Sequence, residues 1–129
     1  MYNSSMTTFV ATDSFTLEQV QDFARISGDD QEIHVVHGIV QGGFIISKLP
    51  QWLVWSKFTE QEYFKDCKYA LSAKMDLKFS KPVRVDTPLT IEFTCDNIKS
   101  AIVTIDWIVK SENTRHCWGS WKVVTRNGT

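Results

Sequence analysis

Five side chains able to trade protons or hold a metal crowd into one short stretch: Asp29, Asp30, Glu32, His34 and His37. Carboxylates and a neutral imidazole are the groups suited to proton transfer near neutral pH. Simpler uses stand beside that one. Asp29 or Asp30 can cap a backbone amide in a solvated loop. His34 and His37 at a spacing of three would share a helix face and could hold a metal, with Asp29 or Glu32 as oxygen ligands. No third histidine lies near them in sequence, and no metal is expected.

The cluster must be positioned by what flanks it. Thr16-Leu17-Glu18-Gln19 has the form of a capping box, and Leu17, Val20, Phe23 and Ala24 recur at helical spacing. A short amphipathic helix is predicted there, ending near Gly28. After the cluster, residues 38–49 form an almost uncharged, glycine-studded run broken only by Lys48. Apolar residues on every side predict a buried central helix from about Gly38 to Leu49, wrapped by the rest of the chain. Gly42 and Gly43 read as close-packing positions on that helix, since no Lys-Ser/Thr follows them to make a phosphate loop. The acidic and histidine residues would then sit just before a helix N-terminus, where unpaired N–H groups gather positive charge. Pro50 bends or ends the helix, and Gln51–Phe58 continues it as a second piece. Trp52 and Trp55 are expected in the core or in a subunit contact. Residues 59–68 read as a loop.

From Tyr69 onward the period becomes two. Ala73, Met75, Leu77 and Phe79 alternate with lysines and an aspartate, and three similar runs follow, from Leu89, Ala101 and Cys117. Four strands joined by short turns need an apolar surface to cover one face, and the central helix is large enough to supply it. The predicted architecture is α+β, an antiparallel sheet curled around a helix, in a single domain over residues 1–129. Residues 1–13 would be a lead-in strand or tail and 126–129 a tail. His116 reads as a surface residue at a strand edge.

Composition narrows the function classes. With 43% hydrophobic residues the chain should fold. A net charge of −1 without basic runs argues against nucleic acid and anionic membranes as partners. The N-terminal residues lack a basic-then-apolar leader, and no apolar run is long enough to span a bilayer. Three widely spaced cysteines, Cys67, Cys95 and Cys117, suggest neither a disulfide framework nor a zinc site, so the reducing cytoplasm is the expected location. Cys95 and Cys117 are read as small core residues. Lys74, Lys78, Lys81 and Arg84 either form a polar strand face or attract a phosphate-bearing carrier.

Phe23-Ala24-Arg25-Ile26-Ser27-Gly28-Asp29-Asp30-Gln31-Glu32-Ile33-His34 resembles the hydratase motif of MaoC-like (R)-specific enoyl-CoA hydratases, which have the hotdog fold. That motif reads aromatic, Ala, x, x, Ser, Gly, Asp, x, Asn, Pro, apolar, His. Val36-His37-Gly38-Ile39 is similar to the family's apolar-His-Gly-Met opening of the central helix. The segment from Lys78 to Leu89 resembles its Phe-x-x-Pro-Val and following Gly-Asp. The chain departs from the pattern in two places. Gln31-Glu32 replaces Asn-Pro, and only Val35-Val36 separate His34 from His37, where the family has a much longer segment.

The resemblance implies that Asp29 and His34 activate a water for addition to a 2-enoyl thioester, and that the Gly38 N–H polarises the thioester carbonyl. His37, Ile39, Gly42 and Gly43 would line the substrate site. It implies no cofactor beyond the coenzyme A or acyl-carrier phosphopantetheine of the substrate, and a homodimer with sites at the subunit boundary. Two alternatives remain open. One is a thioesterase of the same fold, with Asp29 activating water against the carbonyl. The other is a non-catalytic acyl-binding module that keeps only the scaffold.

Overall fold

The structure, a computed structural model, describes residues 7–127. Strand β1 (Thr8–Asp13) leads into helix α1 (Leu17–Ser27), and a one-turn helix α2 (Glu32–Val35) follows. Two further helical pieces are α3 (Gly42–Ser47) and α4 (Leu49–Trp55). Two short 3-10 turns, Phe58–Glu60 and Glu62–Phe64, replace the expected loop. Then come β2 (Cys67–Phe79), β3 (Leu89–Lys99), β4 (Ile102–Ser111) and β5 (Thr114–Asn127). Of the residues read as terminal tails, Thr8–Asp13 are strand, as are Arg126 and Asn127 at the other end. Residues 1–6, Gly128 and Thr129 lie outside the described residues.

The strands form one five-stranded antiparallel sheet in the order β1-β3-β4-β5-β2. Its alternation is clean where it matters. Ile91 and Phe93 of β3, Val103, Ile105, Trp107 and Val109 of β4, and Cys117, Trp121 and Val123 of β5 are all buried. They join Ile45, Leu49, Trp52 and Leu53 of the helical run in one core. Burial of each such large side chain contributes about 1.5–3 kcal/mol. Phe15 closes one end of the core, edge-on to Phe44 and Trp52. The Trp52 indole N–H donates to the Asp13 carboxylate at 2.7 Å, and Lys48 approaches the same carboxylate at 3.3 Å. That pair of contacts fastens β1 to the helix.

The helical run differs from the expected one in two ways. It opens at Gly42 rather than Gly38, because residues 38–40 are drawn into extended pairing with residues 83–85. Val40 N–H donates to Val83 O at 2.8 Å, Val85 N–H donates to Gly38 O at 2.9 Å, and Ile39 bridges Arg84. The run is also covered on one side only: Ser47, Pro50, Gln51, Val54 and Trp55 are exposed. Pro50 sits in the first turn of α4, where its missing N–H costs no hydrogen bond, so it starts a helix instead of ending one.

His116 is buried, contrary to its reading as a surface residue. Its Nδ1 donates to the Pro82 carbonyl at 3.1 Å, and its Nε2 accepts from the Ser111 hydroxyl at 2.7 Å. It pins the bend at Pro82 to the β4–β5 hairpin. Cys117 is fully buried, and desolvation pushes its thiol from 9.0 up to about 12. The folded chain therefore keeps a proton that the unfolded chain gives up. The resulting stabilisation is complete below pH 9.0 and fades as pH rises toward about 12. Denaturant titrations through that range should show a shallower alkaline loss of stability in Cys117→Ala than in wild type.

Candidate active site

Three local features build the site. The first is the end of α1. Its capping box is formed, with Thr16 Oγ1 accepting from Gln19 N–H and Gln19 Oε1 accepting from Thr16 N–H. At the other end Gly28 takes φ +80° and donates to Ala24 O, which stops the helix and throws Asp29 clear of it. Local bonds shape the loop: Asp29 N–H donates to Ser27 Oγ at 3.1 Å, and Gln31 Nε2 donates to Asp29 Oδ1 at 3.3 Å.

The second feature is the turn at Gly38. α2 carries His34 and ends in a reversal in which Gly38 N–H donates to His34 O at 3.0 Å and Ile39 N–H donates to Ile33 O at 3.1 Å. Gly38 holds φ +73°, and a Cβ there would lie 2.9 Å from Val85 Cγ2. Glycine is required on both counts. The reversal brings the Ile39 carbonyl to 2.7 Å from His34 Nδ1. A carbonyl only accepts, so Nδ1 carries the proton and Nε2 is left bare on the neutral ring.

The third feature is the meeting of the two. His34 Nε2 lies 3.5 Å from Asp29 Oδ1, with the imidazole 13% and the carboxylate 38% exposed. On the neutral ring both facing atoms are acceptors, so neither can satisfy the other. A single water donating one hydrogen to each would satisfy both, and its lone pairs would be left facing outward.

The structure thus brings Asp29 and His34 together despite the shortened segment. It does not bring Gly38 into the role expected of it, because the Gly38 N–H is spent on His34 O. Gly38 shapes the site instead. Ile39 is anchored beside it and presents its carbonyl to the histidine. Asp30, Glu32 and His37 are exposed, and His37 is turned away to solvent. Gly42 and Gly43 are the first two residues of α3, whose N–H groups have no acceptor within the helix. The Phe79 ring packs on Gly42, within 3.0 Å of where a Cβ would stand. Beside it lies a mainly apolar cavity of about 290 Å³ lined by Val40, Gly42, Ile45 and residues 79–83.

Sequence reasoning missed Gln41. It is fully buried at the N-cap of α3, and its Nε2 donates to Val20 O at 3.0 Å and Asp29 O at 3.2 Å. Since the helix opens at Gly42, Gln41 and not His37 is the polar residue that directly precedes its first turn. An uncharged polar residue wedged between apolar residues and glycines was the available signal.

No family model matches the chain, and no curated protein matches it. Solved structures do match in shape. An (R)-hydratase from A. caviae involved in PHA biosynthesis superposes with a TM-score of 0.73 and 18% identity, over 96% of this chain and 98% of that one. A mutant of the fluoroacetyl-CoA-specific thioesterase FlK gives 0.73 at 7% identity, over 98% and 90%. A hot-dog-like protein from Thermanaerovibrio acidaminovorans gives 0.69 at 9%, over 96% and 84%. The chain has the α+β hotdog fold.

Replacing Gly38 by alanine should cost roughly 1–3 kcal/mol, since the left-handed backbone and the Val85 contact both oppose a Cβ. Urea denaturation checks this. A loss below about half a kcal/mol would mean the reversal tolerates side chains and does not fix the histidine.

Proposed function

We propose that this protein hydrates a 2-enoyl thioester, or dehydrates the corresponding 3-hydroxyacyl thioester, on coenzyme A or an acyl carrier. The observation that carries the reading is the bare His34 Nε2 facing the Asp29 carboxylate across 3.5 Å. In hydration, the water oxygen bonds to C3 while its proton passes to one of the pair. The C2–C3 π electrons move to the thioester oxygen as an enolate, and a proton is then returned to C2. A proton-transfer pair of this kind contributes about 10²–10⁴-fold. The carbonyl-polarising donor assigned in sequence to Gly38 moves to the Gly42 N–H at the helix opening. The adjacent Gln41 side chain reaches the Asp29 backbone, so that opening neighbours the pair. No resident cofactor enters the scheme, because the carrier belongs to the substrate.

A second reading uses the same water against C1 of the thioester, with release of the thiol. Its support is that thioesterases match this fold as well as a hydratase does. Crotonyl-CoA separates the two readings. The hydratase consumes the enoyl absorbance without releasing thiol, and Asp29→Asn and His34→Ala each lower the rate by about 10²-fold or more. Thiol release that needs Asp29 but tolerates His34→Ala would replace the hydratase by the thioesterase.

The homodimer belongs to the same proposal. β2 is an edge strand of 13 residues, almost wholly exposed, and Tyr69, Leu71, Leu77 and Phe79 are large apolar side chains left in solvent along it. Such an edge is a template for another strand, and a second copy pairing along it would cover those side chains. Leu71→Lys should shift the sedimentation profile from dimer toward monomer. An unchanged dimer would place the interface elsewhere.

A further inference from the structure

We infer that Gln41 is a positioning residue that fixes Asp29 against the opening of α3; the inference rests on the Asp29–His34 reading above. The other described bonds that shape the Asp29 loop stay local. Ser27 receives the Asp29 N–H, Gln31 reaches Asp29 Oδ1, and Asp30 N–H returns to Gly28 O. The Gln41 bond to Asp29 O comes from a different element, twelve residues away. The same nitrogen also holds Val20 O in the body of α1. One amide therefore ties α1, the Asp29 loop and the start of α3 to a common point. A primary amide suits that task, since its single nitrogen offers two hydrogens to two carbonyls without bringing charge into the core.

The other half of the side chain carries a cost that the two donor bonds must offset. Gln41 Oε1 is buried and, among the described residues, has no hydrogen-bond partner. A buried acceptor without a donor is destabilising, and methionine of similar length would carry no such burden. What methionine cannot do is hold the Asp29 carbonyl. If it is released, the carboxylate is free to drift from the 3.5 Å approach to His34 while the substrate-facing surface stays in place.

The test measures kcat and KM for wild type, Gln41→Met, Gln41→Glu, Asp29→Asn and the double variant Asp29→Asn/Gln41→Met, with thermal melts alongside. Gln41→Met is expected to lower kcat by about 10–100-fold with KM within about threefold, the scale of a small misplacement of a reacting group. In the Asp29→Asn background the same substitution should add nothing further, because it acts through Asp29. Gln41→Glu should lose turnover in the same way wherever its carboxyl is ionised, because a carboxylate donates to neither carbonyl. That variant serves if Gln41→Met does not fold. A Gln41→Met enzyme within twofold of wild type in kcat overturns the inference, as does a double variant in which the two losses multiply. Turnover untouched by Asp29→Asn removes the underlying reading instead. A readout independent of turnover is the ¹⁵N signal of the His34 imidazole. It should move in Gln41→Met as it does in Asp29→Asn, and an unmoved signal also overturns the inference.

Discussion

The hydrogen bond from His34 Nδ1 to the Ile39 carbonyl is the constraint on which the site depends. It decides which ring nitrogen is bare, and so whether the histidine faces Asp29 as an acceptor or as a donor. The bond exists because the chain doubles back at Gly38, in a backbone conformation that side-chain-bearing residues resist. The doubled-back segment is held in turn by the strand-like pairing of residues 38–40 with residues 83–85. The geometry of the pair thus traces to one left-handed residue and two backbone hydrogen bonds.

Much of this was legible in the sequence, though unevenly. The capping box at Thr16 and the stop at Gly28 follow from local backbone chemistry, and they lie where those residues place them. The strands from Leu89 onward were visible because one face meets the core and the other meets water, which writes a period of two into the sequence. β2 carries the same period but is exposed on both faces, contrary to its reading as half-buried. The helix opening was misplaced because His37-Gly38 and Gln41-Gly42 are both polar-glycine pairs beside apolar residues. What separates them is pairing with residues 83–85, more than forty positions away, and no local pattern carries that information. The one-sided cover of α4 was equally invisible. Val54 and Trp55 are as apolar as Leu53, yet they are exposed. His116 was misjudged for a related reason: its partners at Ser111 and Pro82 come together only when the hairpin meets the bend.

The acid and the imidazole meet although only two residues separate His34 from His37, because that connection is not what joins them. In this fold the acid arrives on the end of α1 and the imidazole on a single turn of helix, and each has its own anchor. In the proposed reaction, the carbon that the water reaches is set by where the thioester carbonyl lies, not by the pair. One geometry can accordingly serve addition to a double bond or attack on a carbonyl, depending on the surface beside Gly42 and Phe79.

The contacts that define the pair are short in sequence. Asp29 meets His34 five residues on, and His34 meets Ile39 after five more. Closing loops of that size costs little conformational entropy, and the cost grows only slowly with length. The acid–base geometry is therefore largely a property of one short segment, and the sheet behind it acts as the frame to which the segment is fastened. Contacts this local form early and rapidly compared with strand pairing across the chain. The turns of the segment close at little cost, while its final shape waits on the pairing of residues 38–40 with residues 83–85 and on Gln41.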